Sequence, residues 1–211
     1  LERIPDPRDP RKRRHKLTVL LLYGLLMFVF QFASRRETNR EMTRPQFLAN
    51  LRLLFPEIDA LPHADTLYRL LRDIDLTHLE RAHIELVRRL IRGKSLRRYL
   101  INHCHPIAID GSQKLAGDTL WAEELLQRSV GKDETRRTQY FVYVLEASLV
   151  FHNGLVIPLL SEFLEHALGD TEAQKQDCEL RGFERLSERL KRLFPRLPIL
   201  LVLDGLYANG P

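Results

Sequence analysis

The sequence predicts an α/β fold in which an all-helical N-terminal region precedes a mixed sheet. Three observations predict it. Apolar residues recur at helical spacing through residues 44–101. The pattern then changes to short apolar runs rich in β-branched and aromatic residues, at 106–109, 140–151, 155–160 and 199–203. An amphipathic stretch at 174–194 lies between the last two runs, so the order is strand, hairpin pair, helix, strand.

The elements follow in chain order. Residues 1–16 hold Pro5, Pro7 and Pro10 among Arg8, Arg11, Lys12, Arg13 and Arg14, which predicts an extended basic arm. Phosphate contact is one use of such an arm; a frayed terminus is the other reading. Residues 17–33 form an apolar run with basic flanks. A membrane span needs about 20 apolar residues, so a buried helix is expected, with a membrane helix as the alternative. Leu48, Leu51 and Phe55 keep helical spacing up to Pro56. Asp65-Thr66 starts the next helix, with Leu67, Leu70, Leu71 and Ile74 on its apolar face. Thr77 with Glu80 matches a capping box, followed by Leu79, Ile84, Val87, Leu90 and Ile91. Residues 112–138 are polar, with an amphipathic piece at 120–126. Asn153-Gly154 is a hairpin turn signal. Pro195 stops the helix at 174–194. This divides the chain into a basic arm (1–16), a helical region expected to bind DNA (17–104) and an α/β core (105–211).

Charge is divided along the same line. Residues 1–105 carry 21 Lys and Arg against 12 Asp and Glu, a net +9; residues 106–211 carry 12 against 16, a net −4. Arg supplies 26 of the 33 basic residues. Its planar fork suits phosphate, so the basic half points to a polyanion. Arg88, Arg89 and Arg92 stud one helix and are candidates for the DNA backbone, although a solvated helix face gives the same pattern. The composition excludes wholesale disorder, collagen and a disulfide miniprotein. Two cysteines make no disulfide framework, which fits a reducing compartment.

The candidate chemistry lies in a repeated feature. The runs at 106–109 and 199–203 each end in Asp-Gly, at Asp110-Gly111 and Asp204-Gly205. Ligands gather at the carboxyl ends of strands in α/β sheets. If the two strands are adjacent and parallel, Asp110 and Asp204 converge, and such a pair selects a hard cation, Mg²⁺ or Mn²⁺. The alternative is that Asp-Gly only turns the chain. Glu179 lies four residues before Phe183, on the apolar stripe of the helix that also holds Leu186, Leu190 and Leu193, and would point toward the pair. Complementing the helix dipole is its other reading. His103-Cys104-His105 is too closely spaced for a usual zinc site. Cys178 reads as a small buried residue beside Glu179.

Three motifs in order, Ile109-Asp110-Gly111-Ser112-Gln113, Lys175-Gln176-Asp177-Cys178-Glu179 and Leu203-Asp204-Gly205-Leu206-Tyr207-Ala208-Asn209, resemble those of insertion-sequence transposases of the DDE type. Asp6-Pro7-Arg8 and Asp65-Thr66 are similar to that group as well, so the resemblance spans most of the chain. It implies an RNase H-like core and Mg²⁺- or Mn²⁺-dependent cleavage and strand transfer at the element's ends. It makes Asp110 and Asp204 the first two metal-binding, catalytic carboxylates. Gln113, Lys114 and Lys175 become candidates for phosphate contacts. It further implies double-stranded DNA as partner, a homodimer on that DNA, no membrane, and a bacterial cytoplasmic, nucleoid-associated setting. The family's last catalytic Glu follows the second Asp by a further stretch of chain. Only seven residues follow Asp204, so the chain is expected to be a fragment that stops before that Glu, unless Glu179 serves. Glu162 is a further acidic neighbour, and Trp121-Ala122-Glu123-Glu124 stands where some relatives carry paired cysteines. A non-catalytic DNA-binding remnant of a transposase is the alternative function.

Overall fold

The computed structural model describes residues 1–132, 135–165 and 179–204. It divides into two compact units, residues 1–83 and 84–211. The division falls inside a helix, well before the boundary at 104/105 that the composition suggested.

The first unit is helical: α1 (Leu17–Val29), α2 (Arg35–Met42), α3 (Pro45–Arg52), α4 (Ala64–Asp73) and the start of α5 (Leu76–Arg92). Helix α1 feeds three small cores. Leu17, Leu20 and Leu21 pack with Ile4, Leu70 and Ile74. Tyr23 packs with Met42, Ala64 and Leu67, and Val19 packs with Leu51 and Ile58. A helix that buries several sides at once needs apolar residues all round, which explains the run at 17–33. The helix itself is 13 residues long, and among the described residues no helix is long and apolar enough to cross a membrane. Asn39 ties the unit together: its Oδ1 accepts the Ala64 N–H at 2.8 Å and the Tyr23 hydroxyl at 3.3 Å. Burial pushes the Tyr23 phenol up to about 12.

Residues 1–16 are not a plain extended arm. Asp6 holds Arg8, Pro10–Lys12 form a single 3-10 turn, and Ile4 is buried. Helix α2, missed in the sequence, carries a readable start. Ser34 Oγ accepts the Glu37 N–H at 3.2 Å and Glu37 Oε2 accepts the Ala33 N–H at 2.9 Å. The cap expected at Thr77 is made one turn-start earlier, where Asp75 accepts the Thr77 N–H at 2.8 Å. Leu71, expected on the apolar face of α4, is exposed.

The second unit builds a five-stranded sheet on the later part of α5 and on α6 (Glu179–Leu193). Its strands are β1 (His105–Gly117), β2 (Leu126–Val130), β3 (Arg137–Val150), β4 (Val156–Phe163) and β5 (Ile199–Val202). Strand β3 pairs antiparallel with β1 along one edge, and with β2 and then β4 along the other. Strand β5 pairs with β1 in parallel, so the sheet is mixed. The β3–β4 hairpin turns at Asn153-Gly154, with Gly154 at φ 82°. Ile107, Ile109, Leu145, Ala147 and Leu149 face Leu186, Leu190 and Phe194 in one core. Arg88 donates to the Leu193 carbonyl and lies 5.7 Å from the Phe194 ring centroid, fastening α5 to the end of α6. Strand β2 lies in the polar stretch 112–138, for which the sequence suggested no strand, and the start of the helix expected at 174 lies outside the described residues.

Candidate functional site

The site grows from the parallel pair. Register runs from His105 opposite Ile199 to Ala108 opposite Val202. Two residues further along each strand stand Asp110 and Asp204, both exposed. Asp110 lies on the side of β1 opposite Ile109, and Asp204 follows Leu203 past the end of β5; Ile109 and Leu203 both pack in the core. Asp110 is not at a strand end, since β1 continues to Gly117. What ends there is the pairing with β5, and that opens the pair to solvent. The Asp110 Oδ1 accepts the Gly111 N–H at 2.9 Å.

A third carboxylate, on the same side of the sheet as Asp110, escaped the sequence reading. Glu146 of β3 stands directly across from Asp110. Directly opposed like charges repel, and Lys114 offsets the repulsion by an ion pair with Glu146 Oε2 at 2.5 Å. Lys114 reaches it from a register shift between Gln113 and Leu115. Lys114, expected to meet phosphate, is thus held by a carboxylate. The Ser112 Oγ, two residues beyond Asp110, is buried with no hydrogen-bond partner among the described residues.

Glu179 approaches from the other side. Its Oε1 accepts the Tyr143 hydroxyl directly over Gly111. This hydrogen bond, then burial, then the charges of Glu179, Asp110 and Asp204, push the Tyr143 phenol up to about 12. The phenol therefore senses all three candidate carboxylates. Even so, among the described residues no three of His, Cys, Asp and Glu gather closely enough to hold a metal ion. Glu179 sits on the α6 side of the sheet.

The remaining candidates separate into engaged and exposed groups. Arg8 is held by Asp6 at 2.7 Å and by the His15 carbonyl at 2.8 Å. Arg13 donates to the Arg8 carbonyl, and Arg89 and Arg92 pair with Glu85 at 3.4 and 2.9 Å. Arg11, Lys12 and Arg14 are exposed. Lys175 lies outside the described residues. Glu162 is a clamp for α6, bound by Arg185 and Arg189, and not a neighbour of the aspartates. His103 and Asn102 take positive φ in a tight turn closed by the Cys104 N–H on the Ile101 carbonyl. Tyr143 was invisible to spacing because its role depends on the register of β3 against β1. The alternation of 137–150 was the only available signal.

Residues 1–87 match the family described as DDE_Tnp_1-associated. The match links the chain to the DDE transposases. It covers the helical unit and stops before the sheet that carries Asp110 and Asp204. No curated protein and no solved structure matches the chain.

Proposed function

We propose that the chain is part of an insertion-sequence transposase, that its sheet is an RNase H-like core, and that the core carries metal-dependent DNA cleavage and strand transfer. The observation that carries the reading is that Asp110 and Asp204 each stand two residues past the last pair of the parallel strands β1 and β5, in a chain whose N-terminal residues match a transposase-associated family. Two exposed carboxylates, with a buried Ser112 hydroxyl that has no partner among the described residues, fit a hard divalent cation by donor type. Asp110 and Asp204 would hold Mg²⁺ or Mn²⁺, with Glu179 as the third acidic group. Bound metal supplies activation of a water or 3′-hydroxyl and relief of charge on the leaving oxygen. The protein's own part is to keep the two carboxylates fixed by strand register and open to a polyanion. Arg11, Lys12 and Arg14 are the exposed cations proposed to meet the backbone of double-stranded DNA, which a homodimer would engage.

Nicking of supercoiled plasmid in Mn²⁺ tests the reading. Nicking that disappears in Asp110→Asn supports it, and nicking that survives this change overturns it. One observation favours a second reading: no three described carboxylates gather for a metal. A non-catalytic DNA-binding remnant would show no nicking, and steeply salt-dependent binding that persists in Asp110→Asn and Asp204→Asn.

A further inference from the structure

Charge in the second unit is sorted by position. The chain has no acidic residue between Glu85 and Asp110, between Glu146 and Glu162, or between Glu188 and Asp204. The first of these stretches carries six Lys and Arg, and the third carries four. The sheet brings all three to one end. Strand β1 starts there at His105, β3 turns into β4 at Asn153-Gly154, and β5 starts at Ile199 opposite His105. The His105 N–H donates to the Pro198 carbonyl at 2.8 Å, which ties two of the stretches. The Tyr99 ring lies 5.5 Å from that of Phe151 and 5.7 Å from that of His152, which ties in the third. Asp110 stands five residues along β1 from His105, about 17 Å away at strand rise.

Helix dipoles explain some of these cations. Arg89 and Arg92 lie in the last turn of α5, and Lys191 and Arg192 in the last turn of α6, where positive charge stabilises a helix end. They do not explain Lys94, Arg97, Arg98 and Arg196. These four lie past the helix ends, exposed, and none has an ion-pair partner among the described residues. We propose that this end of the second unit is a docking surface for the backbone of double-stranded DNA, with Lys94, Arg97, Arg98 and Arg196 as its phosphate contacts. The proposal rests on the reading of DNA as the partner, and it places a contact away from Asp110. The Arg98 guanidinium carbon lies 4.7 Å from the Tyr99 ring centroid. Stacking fixes the guanidinium plane and leaves its in-plane N–H donors to an anion. Cations spread over two separate turns suit an extended polyanion better than a small anion. Arg98, Phe151 and His152 surround the Tyr99 ring, so it offers no platform to an unpaired base, and a duplex fits better than a single strand.

The test uses the full chain and a fluorescent DNA duplex of mixed sequence, titrated by anisotropy over a series of KCl concentrations, with thermal unfolding in parallel. Each phosphate contact adds about 0.9 to the slope of log affinity against log salt. Arg97→Ala with Arg98→Ala is expected to flatten that slope by about two, and Lys94→Ala with Arg196→Ala by as much. Arg136→Ala with Arg137→Ala makes the same change of charge at the other end of β3 and should leave the slope as it is. Wild-type slopes in both of the first two variants overturn the proposal and leave DNA as the partner. Equal flattening in the Arg136 and Arg137 variant also overturns it, since net charge alone would then account for the effect. A wild-type chain that does not bind the duplex overturns the proposal and the DNA reading together. Vesicles of phosphatidylglycerol provide the other arm: a variant that loses vesicle binding but keeps the wild-type DNA slope assigns this end to a membrane surface and overturns the proposal. Should loss of the Tyr99 stack unfold the Arg97 and Arg98 variant, the slope of the Lys94 and Arg196 variant decides alone.

Discussion

Asp110 and Asp204 stand the same two residues beyond Ala108 and Val202, the last paired positions of β1 and β5. Asp110 lies inside β1 opposite Glu146, whereas Asp204 lies past the end of β5. The proposed cation site needs both carboxylates. If the proposed site exists, Asp110→Asn and Asp204→Asn should each lower Mn²⁺ affinity at least about tenfold, since each removes one of the two proposed ligands. The double variant should bind little more weakly than either, because one carboxylate alone does not hold the ion. Titration of the three proteins with Mn²⁺ checks this. A loss confined to one aspartate would show that the pair does not act together.

The basic N-terminal segment holds residues of two kinds, and they should answer differently to mutation. The Arg8 fork is engaged by Asp6 and the His15 carbonyl. Arg11, Lys12 and Arg14 are exposed. Replacing each of the latter by Ala should reduce the salt dependence of DNA binding by close to one counterion per residue. Arg8→Ala should leave that slope unchanged and loosen residues 1–16, visible as faster amide exchange. The Arg8 guanidinium holds the Asp6 carboxyl below its ordinary value of 3.8. Folding thus gains from this contact above pH 3.8 and loses the gain as pH falls further. Asp6→Asn should remove that acid-dependent step in a thermal unfolding series between about pH 4 and pH 2.

Local chemistry was legible where the chain alone decides it. The Asn153-Gly154 turn, the run of β3 and the stop of α6 before Pro195 follow from residue type within a few positions. The parallel pairing of β1 with β5 was anticipated as a condition, but Asp110 stands within β1 and not at a strand end. Helix α2 was hidden by its polar composition, Arg-Arg-Glu-Thr-Asn-Arg-Glu-Met, although Ser34 and Glu37 mark its start. Glu146 and Tyr143 were hidden for another reason. Each becomes a neighbour of the site through antiparallel register, with Glu146 opposite Asp110 and Tyr143 opposite Gln113. Register depends on pairing across some thirty residues, which no local pattern encodes.

His105 opens β1 and is one of the few buried polar side chains. Its backbone N–H donates to the Pro198 carbonyl at 2.8 Å, and its ring Nδ1 lies 3.3 Å from the same oxygen. Burial holds the imidazole below its ordinary 6.5, with the Pro198 carbonyl acting weakly the other way. The unfolded chain takes up this proton near pH 6.5 while the folded chain resists it. Stability of the second unit is therefore expected to fall as pH drops below about 6.5. His105→Gln, which cannot titrate, should flatten this fall. Amide exchange along β1 at pH 7.5 and pH 5.5 measures it, and an equal fall in the variant would assign the effect to another group.

Gly182 decides how closely α6 lies on the sheet. Within an exposed helix, Gly→Ala stabilises by about 0.5–1 kcal/mol. Here a Cβ would lie 2.6 Å from Leu164 Cδ2 and 2.8 Å from Leu145 Cδ1. Both leucines are buried, Leu145 completely, so neither methyl has space to retreat. Overpacking of this kind costs about 1–3 kcal/mol and outweighs the helix term. Gly182→Ala should therefore lower the melting temperature by about 2–6 °C for a chain of this size. Leu164→Val in the same protein should recover part of the loss by removing a methylene next to the new methyl. The change should also reach the site, because Gly182 is three residues after Glu179 on the same helix. Lifting that turn moves Glu179 from Gly111 and weakens the Tyr143 contact. A raised melting temperature would mean that the leucines do give way, and that α6 is seated by the Glu162 clamp with Arg185 and Arg189 instead.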